Sequence, residues 1–264
     1  MKELHTFVVL AYKESSYLEK CIKSVLNQTV KTNVVIGTST PNNHIEKLAK
    51  KYNLKVIVNK SEKKGIGYDF DFAKNCVDSE LVTIAHQDDI YDREYAQEVI
   101  EYYKKYPKSL ILFSNYYEIK GKNKEYKNTN LNIKKFLLIP LRFRMFSGLK
   151  AFKRSAIRIG NAICCPAVTF VNDNCTKEVF ASDMKCNIDW LAWERLSKLK
   201  GNFIYINKYL MGHRIHEEST TTEIINDNNR SKEDLIMFKK FWPTPIAKLL
   251  TRLYKKSESN NKIK

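Results

Sequence analysis

The first 115 residues alternate between short apolar, β-rich runs and stretches with helical periodicity, and this alternation constrains the fold more than any other feature. The apolar runs lie at residues 6–11, 34–37, 54–58, 81–85 and 110–113. Helix-type patterns separate them, and Pro107 closes the last of these. A repeat of this kind predicts an α/β protein with a Rossmann-like, mostly parallel sheet flanked by helices. Such sheets bind ligands at the carboxyl ends of their strands, so we expect the chemistry there.

The alternation ends after residue 115. Residues 118–130 are polar and are predicted to form a loop, and the next 30 residues mix aromatic, aliphatic and basic side chains, which predicts a basic amphipathic insertion. Further along the chain, the sequence predicts a strand at 164–171, a helix at 189–199 and a strand at 202–216. The carboxyl end is predicted to be a short basic helix followed by a frayed tail at 257–264.

The positive charge is concentrated in two segments. Lys plus Arg number 46 and Asp plus Glu 29, which gives a formal net charge of +17. Residues 120–158 hold twelve basic residues and one acidic residue, and residues 232–264 hold nine and three, so the rest of the chain is balanced. Segments of this kind bind either nucleic acid or an anionic membrane surface, and composition alone does not choose between them.

Composition excludes other classes. At 43% hydrophobic and 12% aromatic, the chain is too rich in core-forming residues to be disordered. Its apolar stretches are far shorter than the roughly 20 residues of a membrane helix, and no secretory signal precedes the first strand. We therefore expect a soluble, cytoplasmic protein. The six cysteines have no C-x-x-C pairing, which favours free thiols over a zinc site built from the last four.

The strongest local indication of chemistry is the segment AHQDDIYDREY at 85–95. An apolar strand ends just before Asp88 and Asp89, which places two adjacent carboxylates at the carboxyl edge of the sheet. Like charges repel unless a cation lies between or beside them, and oxygen ligands suit Mg²⁺ or Mn²⁺. The alternative is that Asp89 or Asp92 only caps the helix that follows.

Four segments together resemble the family 2 glycosyltransferases of the GT-A fold. VVLAYKESSYLEKCIKSVLNQT resembles the opening strand and first helix of the family, and HQDDIYDREY its DxD segment. NIDWLAWERL resembles its catalytic-base segment and YLMGHRIHEEST its late R-x-H segment. The four occur in the family's order over about residues 6–220. The resemblance implies an inverting, nucleotide-sugar-dependent enzyme of the hexosyltransferase class.

The resemblance also implies how the chain is divided. Residues 1–228 would form a single GT-A catalytic domain, with a nucleotide-binding half at 1–117 and an acceptor half at 118–228. Residues 229–264 would follow as a basic C-terminal helix and tail.

In the donor site that the resemblance implies, Asp88 matches the last carboxylate of DxD. That carboxylate ligates the divalent cation, Mn²⁺ or Mg²⁺, on the diphosphate of the donor, and Asp89 is expected to support it. His86 replaces the first carboxylate. A neutral imidazole adds no charge to hold the cation and is open to contact ribose or phosphate instead, which leaves strict metal dependence open. Tyr12 matches an aromatic residue that lies against the nucleotide base, or else it only caps a strand end.

Two further positions bear on the nucleotide. Many relatives carry adjacent aspartates after the second strand, one of which binds uracil, whereas this chain has Thr38 and Ser39. Their hydroxyls both donate and accept hydrogen bonds, so the identity of the base stays open. The resemblance favours a UDP-sugar. Asp69 follows the turn at Gly65 and Gly67 and is a candidate for contacting ribose or base, although G-x-G alone usually indicates only a turn.

Asp189 is the expected general base that takes the proton of the acceptor hydroxyl. The family usually has a Glu-Asp pair here, and Ile188 replaces the Glu. Asp189 also suits a helix cap, and the two roles are compatible. Trp190 is a weak candidate for the acceptor site, since its spacing with Trp193 is more typical of a core.

His216 matches the late histidine of the family and is a candidate metal or diphosphate contact, with Arg214 nearby on the same strand. The polar stretch at 217–229 fits a loop that closes over the bound donor.

The expected acceptor is a glycan or lipid-linked glycan in surface-polysaccharide synthesis. The segments 120–158 and 232–264 would then hold the enzyme peripherally on the anionic inner face of the plasma membrane, although the first segment also suits an ordinary packed helix. We expect no nucleic-acid partner. The alternatives are an inactive family member that serves as a subunit, and a non-enzymatic protein that binds nucleic acid or another polyanion.

Overall fold

The computed structural model describes residues 2–216 and 229–259, and the apolar runs of the sequence become the strands of one sheet. The strands are β1 (Glu3–Ala11), β2 (Asn33–Thr38), β3 (Lys55–Val58), β4 (Ser79–His86), β5 (Ile90–Tyr91), β6 (Ser109–Lys120), β7 (Asn123–Glu125), β8 (Val168–Val171) and β9 (Asn202–Ile215). The helices are α1 (Leu18–Leu26), α2 (Asn43–Tyr52), α3 (Ile66–Asn75), α4 (Tyr95–Lys105), α5 (Thr129–Leu137), α6 (Lys150–Ser155), α7 (Ile188–Ser197), α8 (Asn229–Lys239) and α9 (Thr244–Ser259).

The sheet runs in the order β3-β2-β1-β4-β8-β6-β9-β5, and β7 pairs with β6. Strands β1 to β4 are mutually parallel where they pair, and β6 is parallel to β9. Strand β8 lies antiparallel between β4 and β6. The predicted α/β class with a mostly parallel sheet is therefore confirmed.

Two hydrophobic clusters, built from alternating residues of the strands, cover the two faces of the sheet. Phe7 and Val9 of β1 belong to the cluster that packs on α1, α2 and α4. Val8 of the same strand belongs to the cluster that packs on α7, α8 and α9. This alternation is what a strand buried on both faces requires.

The segment 118–130, predicted to be a loop, is structured, and that prediction is wrong. Strand β6 continues to Lys120, where it pairs with Ile215 of β9, and then turns at Gly121 into β7. Lys120 Nζ lies 3.2 Å from Glu118 and 2.7 Å from Glu125. The polar residues form a strand because they pair with β9, which is far away in sequence.

The basic segments form several short elements. Residues 129–155 contain α5, two 3₁₀ turns and α6, and the carboxyl end contains two helices, α8 and α9, rather than the one predicted. Met237, Phe238 and Ala247 of these helices lie in the same cluster as Trp190 and Trp193, so α8 and α9 pack on the common core. The predicted tail at 257–264 lies mostly outside the described residues.

The fold leaves the carboxyl ends of β1, β2 and β4 close together, because these strands are adjacent and parallel.

All six cysteines are free. Among the described residues, no helix is long and apolar enough to cross a membrane.

Candidate functional site

The site forms where β4 ends and the chain turns back into β5. Strand β5 pairs antiparallel with β9, with Ile90 opposite Gly212 and Tyr91 opposite Met211. This pairing brings the turn at 86–89 beside residues 213–216, more than 120 positions later in the chain. The predicted metal segment and the predicted R-x-H segment therefore meet.

Asp88 contacts the end of β9 in two ways. One of its carboxylate oxygens lies 3.0 Å from Nε2 of His216, and its backbone carbonyl accepts a hydrogen bond from Nε of Arg214 at 2.9 Å. The guanidinium of Arg214 lies 4.5 Å from the ring centre of Tyr17, which also lies 5.0 Å from the His216 ring. Tyr17 thus joins the site although no motif indicated it.

Asp89 belongs to the turn at 86–89, and its side chain is fully buried. It accepts hydrogen bonds from the backbone amide of Arg214 at 2.9 Å and from Nδ1 of His213 at 3.1 Å. Burial acts to lower the pKa of His213, but the charge of Asp89 and the hydrogen bond to it raise that pKa above its ordinary value. Asp89 therefore stabilises the junction between β4 and β9.

The ring of His86 stacks on Phe70, with 5.0 Å between ring centres. Its Nε2 atom is buried and has no hydrogen-bond partner among the described residues. Burial lowers the pKa of His86, against the charges of Asp88, Asp89 and Asp189, which act to raise it. The lowered pKa favours the neutral ring, in which one nitrogen carries a lone pair.

His86, Asp88 and Asp89 form a group suited to a divalent cation. One ligand atom from each lies within 4.8 Å of the others. Burial acts to raise the pKa of Asp88, but the imidazoles of His86, His216 and His213 outweigh it and hold that pKa below its ordinary value. A buried nitrogen without a partner beside two carboxylates is the donor set that a divalent cation completes.

The predicted nucleotide contacts lie along the adjacent strand ends. Tyr12 follows β1 with its ring half exposed, and its backbone exchanges two 3.0 Å hydrogen bonds with the side chain of Gln87. Asp69 accepts hydrogen bonds from Ser39 and Asn59, both at 2.8 Å. Ser39, one of the two hydroxyl residues that follow β2 in place of aspartates, is therefore hydrogen-bonded to Asp69.

Thr38 lies below this surface. Its side chain is fully buried and accepts a hydrogen bond from the backbone amide of Thr40 at 3.0 Å. The structure therefore places its hydroxyl in a turn, and the hydroxyl of Ser39 beside it lies nearer the predicted donor contacts.

Asp189 lies in the first turn of α7. It accepts hydrogen bonds from Asn161 at 2.7 Å and from the backbone amide of Trp190 at 2.8 Å. Burial raises the pKa of Asp189 although both bonds oppose the shift. Its charge acts to raise the pKa of His86.

Trp190, the weak acceptor-site candidate, lies in the core instead. Its side chain is fully buried, and its indole N–H donates to the carbonyl of Ile157 at 2.8 Å. The ring packs against Phe238 and Tyr254. It presents no face to an acceptor, because helix α8 and helix α9 cover it.

Two buried carboxylates that sequence reasoning missed hold the backbone before α7. Glu233 accepts hydrogen bonds from the amides of Lys185, Cys186 and Asn187, at 2.8 to 3.0 Å. Asp71 binds the amides of residues 179–181. Both residues are distant in sequence from the amides they bind, so no local pattern could have identified them. The predicted lid at 217–229 lies almost entirely outside the described residues.

We predict that Asp89→Ala lowers the free energy of unfolding by about 2 to 3 kcal/mol, because it leaves a buried amide and a buried imidazole without an acceptor. Asp88→Ala is the matched control, since the Asp88 side chain is 21% exposed and its contacts are rehydrated more easily. Urea unfolding measures both, and equal losses would contradict a structural role specific to Asp89.

Comparisons with known proteins identify the family and the fold. The sequence profile described as "Glycosyl transferase family 2" matches residues 6–180, a region that includes the 86–89 turn but ends before Asp189 and His216. No curated protein matches the chain. The family match and the architecture confirm the predicted GT-A fold.

Several solved structures are similar in fold. S. aureus TarS 1-349 in complex with UDP-GlcNAc has a TM-score of 0.61 and 13% identity, over 94% of this chain and 70% of that one. The mannosyltransferase PcManGT from Pyrobaculum calidifontis, in complex with GDP-Man and Mn²⁺, has a TM-score of 0.62 and 10% identity, over 100% and 77%. Glucosyl-3-phosphoglycerate synthase from Mycobacterium tuberculosis, with Mn²⁺ and UDP-glucose, has a TM-score of 0.55 and 12% identity, over 90% and 79%.

Proposed function

Because the chain belongs to glycosyl transferase family 2, we propose that this glycosyltransferase moves a sugar from a nucleotide-sugar donor to an acceptor hydroxyl with inversion at the anomeric carbon. The observation that carries the proposal is the arrangement at the carboxyl edge of the sheet. There His86, Asp88 and Asp89 form a group suited to a cation at the end of β4, and His216 and Arg214 at the end of β9 contact Asp88.

Several described residues support a nucleotide-sugar donor. Tyr12 offers a half-exposed ring for a base, and the Ser39–Asp69 pair offers polar groups for base or ribose. Structures of similar fold carry UDP-GlcNAc, GDP-Man and UDP-glucose. We favour a UDP-sugar.

A divalent cation, Mn²⁺ or Mg²⁺, fits beside Asp88, where it would neutralise the charge that develops on the departing nucleoside diphosphate. His86 and Asp88 lie at the end of β4 and would face that diphosphate. Asp89 fixes the turn, and His216 orients Asp88 through their 3.0 Å contact. Arg214, held over Tyr17, adds a positive charge at the same edge.

Asp189 is the proposed general base. Inverting transfer requires one carboxylate to take the proton of the acceptor hydroxyl as that oxygen attacks the anomeric carbon. Asn161 and the amide of Trp190 hold the carboxylate in one orientation. Burial raises its pKa, which makes it a stronger base than an exposed aspartate. In this assignment residues 1–117 bind the donor and residues 118–228 the acceptor.

We place the acceptor, a glycan or lipid-linked glycan in surface-polysaccharide synthesis, at an anionic membrane surface. Helix α9 has a second apolar face besides the one that packs on the core: Leu249 and Leu253 are 56% and 57% exposed. The same helix exposes the basic residues Lys248, Arg252 and Lys255. Gly160 lies against both Tyr254 of α9 and Leu137 of α5, so the two basic segments adjoin. Exposed apolar side chains follow α5 at Phe136, Phe143, Met145 and Leu149.

The first test is thermal stabilisation of the protein by nucleotide sugars and nucleotides, with and without Mn²⁺. A ligand at 100 times its Kd stabilises the folded state by about 2.7 kcal/mol, so the correct donor raises the Tm measurably. We expect the shift to require Mn²⁺ and to be lost in Asp88→Ala. No shift with any nucleotide would overturn the proposal and favour an inactive subunit.

We expect Asp189→Asn to lower kcat by about 10² to 10⁴-fold, because it removes the proton acceptor, while donor binding is retained. Asp183→Asn is the control, an exposed aspartate on the segment before α7. Transfer is measured by release of the nucleoside diphosphate, and donor binding by the same thermal shift. Full activity in Asp189→Asn would assign the base elsewhere.

For the membrane surface, we expect the protein to sediment with vesicles containing anionic lipid, less so at high salt, and not with neutral vesicles. The double variant Leu249→Ser and Leu253→Ser should bind about tenfold more weakly, since it removes apolar side chains that enter the interface. Leu26→Ser, on exposed α1, is the control. Equal binding to neutral vesicles would contradict an electrostatic attachment.

A further inference from the structure

The position of His86 gives the cation site a nitrogen atom where the family motif has a carboxylate. Nε2 of His86 is buried and is not satisfied by any described residue. Leaving a buried polar atom unpaired is unfavourable, so a native structure is expected to give it a partner. Among the described residues that partner is missing, and a ring nitrogen of His86 lies within 4.8 Å of a carboxylate oxygen of Asp88 and of Asp89.

The ring is held in place before any ligand binds. Phe70 stacks on one face of it, and Phe70 in turn packs against Phe180 with 5.1 Å between ring centres. The backbone carbonyl of His86 accepts hydrogen bonds from the Cys21 thiol at 3.2 Å and from the Asp89 amide at 3.1 Å. Fixed ring orientation is what a metal-ligating imidazole requires.

The other histidine at the site is differently placed. Nε2 of His216 already lies 3.0 Å from the Asp88 carboxylate, and His216 is not part of the group whose ligand atoms lie within 4.8 Å of one another. His216 is therefore placed to orient Asp88, whereas His86 is placed to bind the same cation as Asp88.

We propose that Nε2 of His86 is a direct ligand of the donor-site cation, together with the carboxylate of Asp88, and that this nitrogen makes the site prefer Mn²⁺ to Mg²⁺. Imidazole nitrogen stabilises transition-metal ions, whereas Mg²⁺ favours oxygen ligands. The inference rests on the proposed function, since the cation is the one that accompanies the nucleotide. It replaces the expectation that His86 contacts only ribose or phosphate.

The test is pulsed electron paramagnetic resonance of the protein with Mn²⁺ and UDP, prepared with natural and with ¹⁵N-labelled histidine. We expect a nitrogen hyperfine coupling that changes on labelling, is lost in His86→Asp, and persists in His216→Asn. His44→Ala is the control, because Nε2 of His44 lies 3.1 Å from the carbonyl of Ser15, on another part of the chain. Absence of nitrogen coupling in the wild type, or its persistence in His86→Asp, would overturn the inference.

Metal selectivity provides a second readout. The concentrations of Mn²⁺ and of Mg²⁺ that half-saturate stabilisation by UDP are measured for the wild type and for His86→Asp, which restores an all-oxygen set. We expect the preference for Mn²⁺ over Mg²⁺ to fall about tenfold in the variant. An unchanged preference would contradict the ligand role.

The two proposals fail in different ways. If UDP and UDP-sugars do not stabilise the wild type with any cation, the proposed function fails. If they do stabilise it in the presence of Mn²⁺ but the bound Mn²⁺ has no histidine nitrogen in its coordination shell, only the role of His86 fails.

Discussion

The pairing of β5 with β9 is the constraint on which the site depends. Two residues of β5 are enough to place the turn after β4 against the end of a strand formed 120 residues later. The buried carboxylate of Asp89 secures this pairing, because it binds the amide of Arg214 and the ring of His213. This junction places the carboxylate of Asp88 within 3.0 Å of His216, and it places His86 at the same edge of the sheet.

Buried carboxylates also hold the segment that precedes α7, the helix that carries Asp189. Glu233 binds three consecutive amides just before α7, and its neighbour Asp234 accepts a 2.8 Å hydrogen bond from the Asn187 side chain. Asp71 binds the amides that precede this segment. Carboxylates that accept several amide hydrogen bonds satisfy the N–H groups of irregular backbone, as strand pairing does for the N–H groups of a sheet. The composition of helix α8 predicted only a part of the basic C-terminal segment. In the structure, Glu233 and Asp234 of α8 hold the backbone before α7, and so they position the helix that carries Asp189.

The sequence predicted the parts of the fold that depend on local pattern. The first four parallel strands, helix α7 and strand β9 were found because their periodicity is visible in short windows. The continuation of β6 to Lys120 was missed because its polar residues are stabilised only by β9 and β7. At the site, the motifs predicted Asp88, Asp189 and His216, but they gave no indication of Tyr17, Gln87 and Asn161, which lie beside these residues only through tertiary contacts. Trp190 was a borderline case, since a tryptophan on a helix has the same spacing in a core and on a sugar-binding surface.

The two carboxylates given chemical roles have environments that move their pKa values in opposite directions. Both are buried enough to favour the neutral acid. At Asp88 the surrounding imidazoles overcome burial, and the pKa falls. At Asp189 the hydrogen bonds from Asn161 and the Trp190 amide do not overcome it, and the pKa rises. A group that holds a cation must stay ionised, whereas a group that removes a proton is more effective with a higher pKa. These opposite shifts suit the proposed roles of Asp88 as a ligand and Asp189 as a base, and the difference arises from their neighbours because the two side chains are chemically the same.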